Sequence, residues 1–344
     1  MKKKMLSIVL FGLVLLVSPL LQAQAADKVY KIRFTAYWPP AHHLIKTAEL
    51  LAKNVQARTN GRLVVEVYPS AQLYSQKESL KAVAMGSVEM ADELMAKAEN
   101  VDPLFGVDMN NLYILTDYDI AWAYLDKPLF RKIIGDVYEK KLGVKPLLYP
   151  ASGMTGLLVN SKRPVVNAKD VKDMLIRVAN KGAAGMVECM GAKPVLMSSG
   201  EQILALQRGT VDGARTSLGD GVSRRIWEVS KYATVFMPYV ITHPFIINLK
   251  YYNSLPEDLR GQLMASARDA EAWARKILEE QEKEYLATLK SHMPVHVQTD
   301  QEAEEWEKIF TPLTQSWLKK TGEKGKALRD LMFETRKEVL AKRK

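Results

Sequence analysis

Apolar and polar positions follow two different periods along this chain. Val29 to Tyr37 (VYKIRFTAY) alternates residue by residue, as a half-buried strand does, and Trp38-Pro39-Pro40 ends it. His42 to Arg58 then places Leu44, Ala48, Leu51, Ala52 and Val55 at helical spacing. Asn60-Gly61 is a turn signal, and Leu63 to Tyr68 (LVVEVY) reads as a second strand. Gln76 to Met85 predicts a helix closed by Gly86, and Val88 to Ala91 a short strand. Asp119 to Ile134 predicts one helix rich in aromatics. Val144 to Tyr149 and Gly156 to Asn160 read as strands, and the segment Pro150-Ala151-Ser152-Gly153 between them is the expected first crossing between domains.

The densest pattern runs from Leu175 to Ser217. Leu175-Ile176-Arg177-Val178 is a short strand whose alternation puts Arg177 on the face opposite Ile176 and Val178. A helical segment follows, then Gly191-Ala192-Lys193-Pro194-Val195 as another strand. Ser198 with Glu201 has the form of a capping box, opening a helix from Gln202 to Arg208 that Gly209 closes. Thr210 to Thr216 reads as a strand entering a turn. Such βαβαβ traffic collects ligands at the carboxyl ends of its strands, so an arginine there is placed to hold an anion.

Beyond it, Val222 to Val229 predicts a short helix, and Tyr232 to Asn248 one or two strands interrupted by Pro238 and Pro244. From Pro256 to about Lys290 the chain is highly charged, with no Gly after Gly261 and no Pro before Pro294. A helix of ~30 residues would reach ~45 Å, enough to run along two domains. Its apolar positions do not sustain heptads, which argues against a coiled-coil partner surface. Lys326 to Lys344 predicts a basic amphipathic helix with a solvated face.

A length of 344 residues is more than one core usually serves, so two domains are expected. Lys2-Lys3-Lys4, the apolar run Leu6 to Val17 and Ala23-Gln24-Ala25 form a secretory signal peptide at 1–25, which predicts a periplasmic protein. The single cysteine, Cys189, excludes an internal disulfide framework and is expected in the core among Met186, Val187 and Met190. The net charge is +10, and the three lysines of the signal contribute three of these charges. Without a basic stripe interleaved with aromatics, this balance suits anionic solutes and not nucleic acid. Five histidines, two of them adjacent as His42-His43, with no HExxH and no GxSxG, give no catalytic or metal site; no cofactor is implied and a monomer is expected.

Several ordered segments carry a resemblance. Thr59-Asn60-Gly61-Arg62-Leu63 with Tyr68-Pro69, Gln72-Leu73, Gly86-Ser87-Val88-Glu89-Met90, and Asn160-Ser161-Lys162-Arg163-Pro164-Val165 with Asp170-Val171-Lys172 come first. Ile176-Arg177-Val178, Gly191-Ala192-Lys193-Pro194, Ala205-Leu206-Gln207-Arg208-Gly209 and Val211-Asp212-Gly213-Ala214 complete the set. In this order the chain resembles the solute-binding (DctP-type) subunits of tripartite ATP-independent periplasmic (TRAP) transporters. The resemblance implies an α/β fold of two lobes with an interlobe cleft and a long spanning helix. Residues 26–152 plus about 241–280 would form lobe I, and 153–240 plus about 281–344 lobe II. It implies capture of a small organic acid and delivery to membrane permease subunits; a sensor subunit serving a membrane kinase is the alternative, and an exported enzyme is a distant third.

The family's ligand arginine falls on Arg177, whose planar fork suits a carboxylate. A second ligand arginine that many members carry is absent from Gly153-Met154-Thr155-Gly156-Leu157, and Ser199 stands where many have an aromatic. A roomier pocket near Gly156 and Ser199 is therefore expected, with a single carboxylate as ligand, a sulfonate being the rival, and preference for monoanions over dicarboxylates. The other cleft candidates are Asn180 (hydrogen-bond partner or helix cap), Tyr37 and Trp38 at the end of the first strand, Thr216 at a strand end, and Glu93 after the GSVEM strand. Met197 and Phe245 are candidate apolar walls. Arg215 is a candidate replacement for the missing arginine, although alternation points it away from the face of Thr216.

Overall fold

The structure, a computed structural model, describes residues 28–154, 156–236 and 239–343; the expected signal peptide lies outside them. The chain begins with β1 (Tyr30–Thr35), α1 (His43–Arg58), β2 (Leu63–Tyr68), α2 (Ser79–Ala84) and β3 (Met90–Asp92). Three short helices follow, α3 (Val107–Asn110), α4 (Tyr118–Leu125) and α5 (Pro128–Val137), before β4 (Val144–Leu148). The single helix expected from Asp119 to Ile134 is two, because Pro128 cannot continue α4 and instead opens α5, where its fixed φ and missing N–H are harmless.

The chain then crosses into β5 (Gly156–Asn160), β6 (Leu175–Val178), α6 (Lys181–Cys189), β7 (Lys193–Leu196), α7 (Gln202–Gln207), β8 (Gly213–Ser217), α8 (Leu218–Ser223) and β9 (Tyr232–Phe236). It returns through β10 (Phe245–Asn248) and α9 (Leu249–Ser254), and ends with α10 (Glu257–His292), β11 (Val295–Val297) and α11 (Asp300–Ala341). Two sheets result. The first has the order β2-β1-β3-β10-β4, with β10 antiparallel to both neighbours. The second has the order β11-β9-β5-β8-β6-β7, with β5 antiparallel to β8 and β9 and with β6 parallel to β7 and β8. This is the expected two-lobed α/β architecture.

The segments between the sheets hold the lobes in register. The crossing segments 149–154 and 239–244 pair as a ribbon: Ser152 N donates to the Ile241 carbonyl at 2.9 Å and His243 N to the Pro150 carbonyl at 2.7 Å. α10 is the expected spine. Leu259, Leu263, Ala267 and Ala270 pack into the first lobe, whereas Leu289 near its far end packs into the second. α11 breaks at Gly322, where φ is 57° and the backbone is not helical; the part after the break is the tail helix expected from Lys326, and α11 adds to it an unexpected first part from Asp300. Its Trp306 and Phe310 join a core with β6 and α6, and its Trp317, Leu328 and Met332 join one with α4 and α5. Trp306, Phe310, Leu313 and Trp317 recur at helical spacing, a signal masked by Pro312 within the helix. Cys189 is half-buried on the last turn of α6, beside exposed Glu188, and packs against the edge of the expected core with Met186, Val187 and Met190.

Candidate functional site

β6 and β8 lie side by side in the middle of the second sheet, and their carboxyl ends face the first lobe across the cleft. A cavity of about 350 Å³ sits there, with only about 30 Å³ open to the centre of a water-sized sphere. By the latter measure a groove around Asn248 and Tyr251 is far larger, about 850 Å³, but it is open surface whose only cation is exposed Lys250. The interlobe cavity is lined by buried cations, Arg177 and Arg215.

Arg177 is fully buried on β6. Its Nε donates to the Met197 carbonyl at 3.0 Å, its Nη1 to Gln202 Oε1 at 3.0 Å and to the Arg215 carbonyl at 3.3 Å, and its Nη2 to the Ser199 hydroxyl at 3.2 Å. These partners are neutral. The nearest carboxylate, Asp220, acts at one remove: it accepts from Gln202 Nε2 (2.6 Å) and Thr216 Oγ1 (2.5 Å), and is already paired with Arg224 Nε at 2.6 Å. Burial pushes the Arg177 pKa down to about 10, with Asp220 opposing. A guanidinium held in place by neutral acceptors, in a dry site, keeps its charge available for an incoming anion.

Seven of the ten residues expected at the site line this cavity: Tyr37, Trp38, Arg177, Asn180, Ser199, Arg215 and Thr216. Asn180 fills both roles considered for it. Its Oδ1 caps α6 by accepting from Ala183 N at 2.9 Å, and its buried Nδ2 has no partner. Trp38 Nε1 donates to Asp92 Oδ2 at 2.7 Å, and the Tyr37 hydroxyl lies 3.3 Å from His243 Nδ1. The other three candidates are not part of the lining. Glu93 is turned into the first lobe, where it accepts from the Ser79 hydroxyl at 3.0 Å and burial raises its pKa to about 7. Phe245, the first residue of β10, packs on Phe34 in the core of that lobe, with ring centroids 4.8 Å apart. Met197 contributes its carbonyl to Arg177 rather than its side chain to the wall.

The pocket is not roomier where two large side chains were missing. The Phe236 ring covers Gly156 so closely that a Cβ there would meet it at 3.0 Å. Ser199 is used as a connector: its N–H donates across the cleft to Gln76 Oε1 at 3.2 Å while its hydroxyl accepts from Arg177. Sequence reasoning missed Gln76, Ser152, Ile241 and His243, which also line the cavity. Ser152, Ile241 and His243 lie on the crossing strands, where no periodicity marks a face; the pair Thr242-His243 ahead of Pro244 was the available hint.

A cavity at strand ends, closed by two lobes and floored by a buried arginine, is the geometry of a solute receptor. Residues 34–321 match the model of the family described as bacterial extracellular solute-binding protein, family 7 (DctP). The chain belongs to this family.

Among family 7 relatives, the C4-dicarboxylate-binding periplasmic protein DctP of Rhodobacter capsulatus is 27% identical over 302 residues, 85% of this chain and 87% of the relative. Of solved structures, the Bordetella pertussis extracytoplasmic solute receptor DctP7, which binds pyroglutamic acid, superposes with a TM-score of 0.82 at 24% identity, covering 88% of this chain and 99% of the receptor. The Advenella mimigardefordensis sugar acid binding protein, solved with galactonate, gives 0.84 at 23% identity over 90% and 99%. The resemblance to DctP-type TRAP subunits is thus borne out, and the family 7 proteins are extracytoplasmic solute-binding proteins.

Proposed function

We propose that this protein captures a small organic anion, a carboxylate, between its two lobes in the periplasm and delivers it to the membrane subunits of a TRAP-type transporter. One observation carries the reading. Arg177 is fully buried at the cleft, is oriented by four hydrogen bonds, and has only neutral partners. Such a cation is compensated by what enters the cleft. Asn180 Nδ2 and the Thr216–Asp220 pair stand beside it to orient the remainder of the ligand. Pyroglutamic acid, galactonate and C4-dicarboxylates, named for the relatives, are all small carboxylates, which supports the class without selecting a member.

The test is a thermal-shift screen of the purified protein over organic acids, with mass spectrometry of any co-purified ligand. An acid present at 100 times its dissociation constant adds about 2.7 kcal/mol of apparent stability. Wild type should respond, whereas Arg177→Lys and Arg177→Ala should not. If no organic acid stabilises wild type, the reading is wrong; if both variants respond normally, Arg177 is not the anchor. Delivery is tested separately, by uptake of the acid so identified in cells lacking the protein.

A further inference from the structure

Arg215 is a second buried cation at the cavity, and it has no ion-pair partner among the described residues. It is 5% exposed, lines the cavity, and its Nε and Nη2 are buried without a hydrogen-bond partner. Among the described residues no carboxylate lies within ion-pairing distance of it. Its guanidinium lies over the Tyr239 ring, 4.9 Å from the centroid, and at 5.9 Å from that of Phe236. Cation–π contacts of this kind hold a guanidinium in place but satisfy none of its N–H donors.

The sheet explains how it arrives there. Arg177 is in register with Ala214, so it shares a face with Ala214 and Thr216, whereas Arg215 is in register with Leu158 on the opposite face. Gly156, two residues before Leu158, leaves that face bare, and Phe236, in register with Gly156, spreads its ring into the space. Arg215 rests on this aromatic platform. The two arginines therefore reach the same cavity from opposite faces of one sheet.

We infer that Arg215 is a second anion-binding residue, and that the ligand carries two acceptor ends: one carboxylate for Arg177 and a second for Arg215, as in a short dicarboxylate. This rests on the proposed function above, and it reverses the monoanion preference expected when only one cation was counted. A cavity of about 350 Å³ bounds the chain between the two ends. A buried donor left unmatched at one end is what penalises the wrong ligand.

The experiment is calorimetric titration with matched pairs of acids of equal chain length: malonate and propionate, succinate and butyrate, glutarate and pentanoate. The proteins are wild type, Arg215→Gln, Arg215→Met, Arg215→Lys and Arg177→Lys. Wild type should prefer at least one diacid over its monoacid by about 10-fold or more, and Arg215→Gln should bring that ratio to within about threefold. Arg215→Met, which keeps the volume against the two rings, should do the same, and Arg215→Lys should keep an intermediate ratio. Arg177→Lys should weaken both acids of the preferred pair.

A ratio unmoved by the neutral Arg215 variants, with Arg177→Lys still weakening both acids, overturns the inference and leaves the proposed function standing. So does a wild type that binds monoacids as well as diacids. If neither neutral variant folds, Arg215 is a structural cation and the inference falls. If wild type binds no organic acid in the wider screen, the proposed function fails and takes the inference with it.

Discussion

At the residue scale, charge in a dry place is the controlling quantity. Removing the fork of Arg177 leaves the ligand carboxylate unpaired, at a cost of about 2–5 kcal/mol. That corresponds to a loss of roughly 30- to 4000-fold in affinity. Arg177→Lys should lose most of this too, since an ammonium cannot reproduce donation from Nε, Nη1 and Nη2 at once. Calorimetry on the acid found in the screen measures it. Glu93 gives a different prediction. Burial, against the opposing pull of Lys97, raises its pKa to about 7 from an ordinary 4.5. The folded state then holds a proton that the unfolded state releases. Its favourable contribution is complete below about pH 4.5 and is lost as pH rises toward 7. Glu93→Gln should therefore gain melting temperature relative to wild type on going from pH 5 to pH 8. His43 works with the opposite sign: burial holds it near 4, so stability is lost as pH falls from about 6.5 toward 4. Parallel melts of the two proteins across this range separate the effects, and a Glu93→Gln difference that does not change with pH would rule the carboxyl out.

At the element scale, α10 does more than span the lobes. Two of its carboxylates are buried, Glu271 and Glu282, and they take hold of the first crossing at either end. Glu271 accepts from Tyr149 N at 2.9 Å and from Arg131 and Arg275, whereas Glu282 accepts from Met154 N at 3.2 Å and from the Tyr118 hydroxyl. Gly153 is needed between them, because its φ of 153° is one that other residues rarely adopt and a Cβ there would lie 2.5 Å from Glu282 Oε1. Glu271→Ala leaves the two arginines with Asp126 alone and the buried Tyr149 N–H without its acceptor, and should cost about 1–3 kcal/mol in urea unfolding. A change below 1 kcal/mol would mean that Arg131 and Arg275 find enough compensation in Asp126, which both already contact.

At the scale of the whole molecule, closure depends on contacts made by both lobes. Gln76 on the first lobe meets Ser199 on the second, and Lys77 beside it pairs with Glu201 at 3.0 Å. The ion pair is exposed and contributes little. The Gln76 bond is buried and continuous with Arg177 through Ser199, so an anion at Arg177 strengthens the connection that closes the cleft. Ligand should shift the population toward the closed form and reduce the radius of gyration in solution scattering. Gln76→Ala should weaken binding by about 3- to 10-fold, the worth of one buried hydrogen bond, with the open form more populated at equal ligand. Scattering curves that do not respond to saturating ligand would count against closure.

What the sequence determined by itself was the local order. β2, β5 and β6 begin and end where the apolar pattern put them, α10 runs through the stretch that has no Gly after Gly261 and no Pro before Pro294, and Arg177 lies on the face opposite Ile176 and Val178. These features depend on period and breakers, which neighbours along the chain fix. The tertiary structure decided the rest. Gln76, Ser152, Ile241 and His243 enter the site only because the crossings pair and the lobes meet, and Glu93 and Phe245 leave it because their strands face a core. Arg215 shows the difference most directly. Alternation correctly put it on the face away from Thr216, but only the bare backbone at Gly156, roofed by Phe236, gives that face access to the cavity. A strand's period says which way a side chain leaves the sheet, whereas packing from other parts of the chain decides what it meets there.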